Sequence, residues 1–279
     1  MRGYGGARPV TPALAAGLTA LCLCGFLLLL GSIWAALPPA VFVGLCAAAP
    51  FCPAWGFFLP VVSRGPRGKA VVCVTFDDGP DPATTPLLLQ LLERQGAKAA
   101  FFVTGERAGR HGALIAAILA GGHDIGNHSF HHDPFLMLRR TDVLRREIKD
   151  TQEELRDFGI SPLAFRPPVG VTSPRLAAVL EEQGLRCVTF SCRAPDWGNR
   201  QIGGMARKIL RKVRPGDIIL LHDTRPTGAA TPDAWLKEIE DLLEGLKMKG
   251  LPVVPLAELI GAPVMSRSMA AGARGLKNI

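Results

Sequence analysis

The first 62 residues almost lack charge, since no Asp, Glu, Lys, Arg or His occurs between Pro9 and Val62. An uncharged apolar stretch of this length exceeds the roughly 20 residues that an α-helix needs to cross a bilayer. It is also too long for the apolar region of a cleaved signal peptide. The sequence therefore predicts a membrane anchor over residues 1–62, in contact with the bilayer through residues 13–62.

Cysteines, aromatic residues and repeats are also scarce. Seven cysteines in 279 residues are too few for a small disulfide scaffold, and the lack of a heptad or other fixed period excludes coiled coils and repeat arrays. Aromatic residues make up 6% of the chain, and Tyr4 is the only tyrosine. Because glycan-binding enzymes stack sugars on exposed aromatic rings, this scarcity argues against a long polymeric substrate.

The charges outside this stretch are mainly positive, with 32 Lys and Arg against 24 Asp and Glu and a net charge of +8. The basic residues are dispersed and form no motif that reads RNA or DNA, so we expect no nucleic-acid partner. An anionic membrane surface or a phosphorylated substrate fits this balance better. Residues 266–279 contain no acidic residue, and we expect them to form a basic, disordered tail.

Two apolar segments, residues 13–36 and 40–62, flank Pro38 and Pro39, which are expected to break the helix. Basic residues occur before and after the segments but not between them. The positive-inside rule then predicts a transmembrane hairpin in a bacterial inner membrane, with both ends and the following domain in the cytoplasm. If the second segment does not cross the membrane, that domain lies outside the cytoplasm.

Residues 63–265 have the pattern of a globular domain. Short apolar runs alternate with longer amphipathic stretches, which is typical of βα units in a mainly parallel sheet. The pattern fits a closed or nearly closed barrel, and equally a doubly wound open sheet. Both place the chemistry at the carboxyl ends of the strands. The expected strands are 70–76, 99–104, 124–127, 163–166, 186–190, 217–221 and 252–255, and the longest helices are 141–158 and 232–248.

Polar motifs follow the first and third of these strands. Asp77 and Asp78 are adjacent carboxylates directly after an apolar strand, which is unfavourable as packing because like charges repel, although an Asp-Gly turn alone is as often a solvated loop. His128 and His132 stand at i and i+4, which predicts that both imidazoles share one side of a helical turn and bind one metal. A His-rich loop alone is more often a surface feature, but an Asp at another strand end favours the metal site.

Three further motifs also fall at strand ends. They are RPPVG at 166–170, PDW at 195–197 and LLHD at 220–223. Each alone has an ordinary explanation as a surface Arg, a loop aromatic or a histidine at the edge of the core. Five polar motifs at successive strand ends are hard to obtain by chance.

Together the motifs TFDDGP, HSFHH, RPPVG, DW and LLHD resemble those of the polysaccharide deacetylase family, that is, the NodB-homology domain or carbohydrate esterase family four. The resemblance covers about residues 69–259. It implies a distorted (β/α)7 barrel, here preceded by the transmembrane hairpin. It also implies a hydrolase that uses a divalent metal, most often Zn²⁺, to remove N-acetyl groups from amino sugars. We expect the substrate to be a cell-envelope glycan or a lipid-linked saccharide.

The resemblance implies a role for each residue at the site. Asp78, His128 and His132 would be the metal ligands, a set that leaves positions open for water and the substrate carbonyl. Asp77 would be the general base that activates the water, and His222 the general acid that protonates the leaving amine.

Other residues would support these by the same resemblance. Arg166 would hold Asp77, and Asp196 would orient Arg166 or His222. The backbone N–H of Val169 would stabilise the oxyanion. The expected substrate-binding residues are Pro168, Val169, Gly170 and Trp197.

Two residues depart from the family's pattern. Val169 stands where an aromatic residue is usual, which keeps the backbone N–H but alters the wall that shapes the substrate. Arg193 stands where an Asp is usual, and it adds positive charge that would meet a phosphate. With the scarce aromatics, this suggests a small amino sugar linked to a polyprenyl phosphate.

Other functions are compatible with parts of this pattern. Non-haem Fe(II) oxygenases also use two His and one carboxylate, but their His-x-Asp…His order on an all-β scaffold does not match. A catalytically inactive, membrane-anchored sugar-binding module would have lost a ligand, the base or the acid, and all of these are present. An N-deformylase or an O-acetyl esterase of the same fold stays open, because pocket size sets the acyl group.

Overall fold

The computed structural model of the chain describes residues 10–66, 68–196, 198–228 and 230–267. Over these ranges the helices are α1 Pro12–Leu29, α2 Leu37–Ala48, α3 Thr85–Arg94, α4 Gly105–Arg110, α5 Gly112–Ala120, α6 Thr141–Arg156, α7 Leu176–Glu182, α8 Met205–Leu210, α9 Pro232–Met248 and α10 Leu256–Ile260. The strands are β1 Val61–Val62, β2 Cys73–Asp77, β3 Ala100–Val103, β4 Asp124–Asn127, β5 Ile160–Pro162, β6 Ala164–Phe165, β7 Arg186–Val188, β8 Cys192–Arg193, β9 Ile218–His222 and β10 Met265–Arg267.

Helices α1 and α2 form an N-terminal hairpin with an apolar, largely exposed surface. The chain turns at Gly31, whose φ of 63° is left-handed and costs a glycine little. The predicted break at Pro38 and Pro39 is wrong. Both prolines lie in the first turn of α2, where a missing N–H has no helical partner to lose. Two segments, Pro12–Leu29 and Ile33–Phe51, are long and apolar enough to cross a membrane.

The second apolar segment ends earlier than residue 62. Phe57, Phe58 and Leu59 are buried, and β1 pairs with β7 in the main sheet. Some residues just before the boundary predicted at residue 62 therefore belong to the core of the domain, and the boundary itself stays a prediction. From the sequence alone, an apolar segment covered by lipid cannot be distinguished from one buried in the core of the protein.

The globular domain is built on eight parallel strands in the order β1-β7-β6-β4-β3-β2-β9-β8 within the described ranges. Along β2 the side chains alternate, so Val74 and Phe76 pack against the helices. Cys73 belongs instead to a cluster inside the curled sheet. The segment after β1 reaches the start of β9, where Arg64 pairs with Asp217 at 2.7 Å. The predicted distorted barrel is confirmed, as an incomplete barrel.

Two predicted segments differ from the structure. The strand expected at 252–255 is reduced to one bridge between Val72 and Val253, because Pro252 and Pro255 have no N–H to donate. Ser266 and Arg267, which were expected in the tail, belong instead to β10, which pairs with β5. Residues 268–279 lie outside the described ranges.

Candidate active site

Strand β2 carries two carboxylates to the carboxyl end of the barrel. Asp77 is the last residue of the strand and is buried. Asp78 has a φ of 70°, a left-handed conformation that Asp tolerates better than most residues. This turn breaks the strand's alternation, so both carboxylates line the same cavity.

The loop after β4 brings two imidazoles to Asp78. The Nε2 atoms of His128 and His132 lie 3.3 and 3.2 Å from Oδ1 of Asp78. The helical turn predicted for these histidines is wrong, because Ser129 and His132 are left-handed, with φ of 63° and 55°. The rings meet, with centroids 4.9 Å apart, because the loop folds back on itself.

This histidine loop is held by residues that the sequence reasoning missed. The Glu147 side chain, on α6, accepts the backbone N–H groups of Phe130 and His131 at 3.0 and 2.9 Å. Oδ1 of Asn127 accepts the N–H of Ser129 at 2.9 Å. No local pattern marks Glu147, since its partners are 16 and 17 residues away.

Asp78, His128 and His132 fit a divalent metal ion. Their ligand atoms lie within 4.8 Å of one another, and the buried Oδ1 of Asp78 has no hydrogen-bond donor. His128 donates from Nδ1 to the carbonyl oxygen of Arg166 at 2.7 Å, which leaves Nε2 with a lone pair for a metal. The 3.2 and 3.3 Å separations are close to the roughly 3.4 Å between ligands of a tetrahedral ion with bonds of ~2.1 Å.

The charge state of Asp78 also suits a metal ligand. Burial opposes its ionisation, but the close approach of His128, followed by the charges of His132 and His222, holds the pKa of Asp78 well below its ordinary value. A ligand carboxylate must be ionised to bind a metal. The site therefore presents the charged form that a cation requires.

Arg166 is fully buried and binds Asp77. Its Nη1 donates to Oδ1 of Asp77 at 2.6 Å and to the hydroxyl of Thr75 at 2.7 Å, and its Nη2 donates to the carbonyl oxygen of Thr189 at 3.0 Å. The guanidinium carbon lies 3.9 Å from the centroid of the Phe102 ring. A buried charge is stable only when it is paired and hydrogen-bonded, and these contacts meet that condition for both partners.

His222, at the end of β9, is hydrogen-bonded to Asp196. Its Nδ1 lies 2.7 Å from Oδ2 of Asp196. Asp196 was expected to orient either Arg166 or His222, and in the structure its partner is His222. Burial of the imidazole disfavours its charged form. The hydrogen bond and charge of Asp196, with the charges of Asp78 and Asp77, outweigh this and raise the pKa of His222 to about 9. The imidazole is therefore protonated at neutral pH.

Asp223 ties the loop after β2 to β9. Its carboxylate is fully buried and accepts the hydroxyl groups of Thr84 and Thr85 at 2.7 and 2.6 Å, and burial raises its pKa to about 7. A Cβ on Gly79 would lie 2.5 Å from Oδ2 of Asp223, so only glycine fits there. The motifs contain both residues, but the contact joins distant parts of the chain.

A cavity of about 630 Å³ opens over these groups. Of the predicted substrate-binding residues, Val169 and Gly170 line it. Pro168 is buried and is not among the lining residues. Trp197 lies outside the described residues. Val169 has a φ of 52°, a strained conformation for a β-branched residue and one that is common at functional sites.

An incomplete parallel α/β barrel with these groups at the carboxyl ends of its strands defines the class as a barrel hydrolase. Residues 64–188 match the family model of polysaccharide deacetylases. A peptidoglycan-N-acetylglucosamine deacetylase of Bacillus cereus is 32% identical over 197 residues, which cover 70% of this chain and 90% of that protein. A chitooligosaccharide deacetylase of Sinorhizobium fredii is 32% identical over 209 residues, covering 72% and 97% of the two chains.

The structural comparison agrees with these matches. A crystal structure of a peptidoglycan N-acetylglucosamine deacetylase matches with a TM-score of 0.67 and 31% identity, covering 73% of this chain and 94% of that one. The chain belongs to the polysaccharide deacetylase family, carbohydrate esterase family four. It is a sugar deacetylase, a hydrolase that acts on carbon–nitrogen bonds other than peptide bonds.

Proposed function

We propose that this chain is a membrane-anchored, metal-dependent enzyme that removes the N-acetyl group from N-acetylglucosamine units of a cell-envelope glycan or a lipid-linked saccharide. The observation that carries the proposal is the convergence of Asp77, Asp78, His128, His132 and His222 on one cavity. The relatives are named for peptidoglycan N-acetylglucosamine and chitooligosaccharides, which supports the substrate class.

Asp78, His128 and His132 would hold the metal, and one carboxylate with two imidazoles is a ligand set that suits Zn²⁺. The ion supplies Lewis acidity for the acetyl carbonyl and makes a water molecule more acidic. Asp77 takes the proton of that water. One of its oxygens is fixed by Arg166 at 2.6 Å, which leaves Oδ2, the oxygen nearer His128, to accept the proton.

His222 donates the proton that the leaving amine needs. Its hydrogen bond to Asp196 fixes the orientation of the ring and leaves Nε2 as the donor. The raised pKa, about 9, keeps the acid charged until the amine departs. The backbone N–H of Val169, on the cavity wall, would stabilise the negative charge that develops on the carbonyl oxygen.

The hairpin and the rim of the cavity support a site at the membrane surface. The N–H of Ala13, in the first turn of α1, donates to the carbonyl oxygen of Phe57 at 2.9 Å, so the hairpin starts and ends on the same side. Phe135, Leu138 and Val169 are large apolar side chains exposed on the globular domain. The buried residues beside Phe135 pack in the same cluster as parts of the hairpin. Of the three exposed side chains, Val169 lines the cavity. An apolar wall there suits a lipid-linked substrate, and the positive-inside rule favours the cytoplasmic side.

The test is acetate release from N-acetylglucosamine oligomers by the full chain in detergent, with a chelator, with Zn²⁺ added back, and beside Asp77→Asn. Release that the chelator stops, Zn²⁺ restores and the variant lacks would support the proposal. Release that persists in the chelator would contradict metal dependence. Formate release from N-formyl sugars, or acetate release from O-acetyl sugars alone, would instead identify a deformylase or an esterase. Sugar binding without any release would identify an inactive module.

A further inference from the structure

We propose that the mouth of the cavity holds an anion-binding site, formed by Arg193 and Arg200, which takes a phosphate or carboxylate group carried by the sugar substrate. The proposal rests on the deacetylase function proposed above and names its substrate class, an anionic N-acetylated sugar. Both arginines line the cavity that contains the two aspartates and His222.

Arg193 reaches the cavity from β8. It is the parallel partner of Leu220 on β9, and Leu220 and His222 stand two residues apart on one face of that strand and both line the cavity. The guanidinium carbon of Arg193 lies 5.4 Å from the ring centroid of Phe190, another lining residue. The aromatic ring therefore favours a side-chain position that faces the site.

Arg200 is held at the same rim by its neighbour Asn199. The buried side chain of Asn199 donates to the carbonyl oxygens of His222 and Thr224 at 3.0 and 2.7 Å. On the other side of Arg200, Gln201 donates its N–H to the carbonyl oxygen of Asp196 at 2.9 Å. These bonds tie the loop to the end of β9, so Arg200 stands on a fixed backbone beside the general acid.

Neither arginine has an ion-pair partner among the described residues. The carboxylates of the cavity are engaged elsewhere, Asp77 with Arg166 and Asp196 with His222, and Asp78 faces the imidazoles of the metal site. A guanidinium presents paired N–H donors that match the oxygens of a phosphate or a carboxylate. Two such groups left without a carboxylate at the mouth of one cavity are suited to an anionic ligand.

The first test measures binding without catalysis. The metal-free full chain in detergent is titrated with inorganic phosphate by calorimetry. We expect one binding event, weakened about tenfold or more in Arg193→Ala/Arg200→Ala, because each charge-assisted hydrogen bond is worth about that factor. The matched control is Arg211→Ala, an exposed arginine outside this cavity, which should bind as the wild type does. Equal binding by the double variant, or none by the wild type, overturns the proposal.

The second test identifies the anion. The metal-loaded chain is assayed with N-acetylglucosamine, N-acetylglucosamine 1-phosphate and N-acetylmuramic acid. We expect kcat/KM to be about tenfold higher for one of the charged sugars, which assigns a phosphate or a carboxylate, and the preference to disappear in the double variant. Equal values for all three sugars overturn the proposal. Deacetylation of none of them counts against the proposed function, while the calorimetry still decides whether the anion site exists.

Discussion

The hairpin exposes apolar side chains, whereas the carboxyl end of the barrel buries charged ones, and each arrangement costs free energy in water. In the hairpin, Leu29 and Ile33 are apolar and 88% exposed, whereas Asp77 and Arg166 at the rim are charged and buried. Buried charges cost several kcal/mol unless they are paired, and at the rim the partners come from the chain itself. Exposed apolar area costs about 25 cal/mol per Å², and most of the hairpin's large apolar side chains stay exposed among the residues that the structure describes. The fold thus assembles the site, while the exposed apolar surface of the hairpin is what the proposed membrane anchor requires.

The largest expected effect comes from removing the proposed base, Asp77, without altering the proposed metal ligands. Asp77→Asn keeps the size of the side chain but cannot take the proton of water, so kcat should fall about 10³-fold. Bound metal, measured by atomic absorption on the same preparation, should stay at the wild-type level because Asp78, His128 and His132 are unchanged. A variant within tenfold of the wild-type kcat would mean that Asp77 is not the base.

The next effect, on stability, tests whether the buried charges depend on each other. Arg166→Met leaves Asp77 buried without its cation, and the free energy of unfolding should fall by about 3–5 kcal/mol, measured by urea denaturation of the metal-free chain. Arg166→Met/Asp77→Asn should lose less than the sum of the two single variants, because residues in one network couple. Additive losses would show that the 2.6 Å contact contributes little to folding.

Features that depend on neighbouring residues in the sequence, such as strands and helices, were predictable from the sequence. The strand at 124–127 and the helix at 232–248 coincide with β4 and α9, because alternation and helical periodicity are local. The polar motifs also meet at one cavity, since the carboxyl ends of parallel strands lie at one edge of a sheet. Family resemblance added the roles, which strand order alone does not assign.

Features that depend on distant contacts were not predictable. Glu147 holds the histidine loop from α6, and Arg200 reaches the cavity because Asn199 is bonded to the end of β9. Phe57, Phe58 and Leu59, which the apolar pattern placed in the membrane segment, are buried in the domain, and the strand that follows them pairs with β7. In each case the deciding partner is remote in sequence, and no local pattern records it.

A smaller effect concerns the charge state of His222, the proposed general acid. Asp196→Asn removes the carboxylate that raises the pKa of His222 to about 9, so the alkaline limb of the kcat–pH profile should move down by about 1–2 pH units.

Stability gives a second readout. His222 binds its proton more tightly in the folded chain, so its contribution to the free energy of unfolding is complete below pH 6.5 and is lost as pH rises through 9. The metal-free variant should therefore be less stable than the wild type at pH 6 and approach it above pH 9. A profile that does not shift would mean that another group is the acid.

The smallest effect on catalysis is expected when charged residues are introduced into the hairpin. This change also tests most directly how the hairpin differs from the barrel. Leu18→Lys/Leu21→Lys on α1 costs about 2.5–3.5 kcal/mol per residue at the centre of a membrane helix, so the chain should lose its resistance to carbonate extraction from membranes. Acetate release from soluble oligomers should change less than twofold, since neither residue lines the cavity. Met248→Lys is the control, because Met248 is 84% exposed on the globular domain against 68% for Leu21. If neither variant weakened membrane attachment, the exposed apolar residues of the hairpin would contribute no more to attachment than Met248 does. Loss in the hairpin variant alone would show that its apolar surface is covered by lipid.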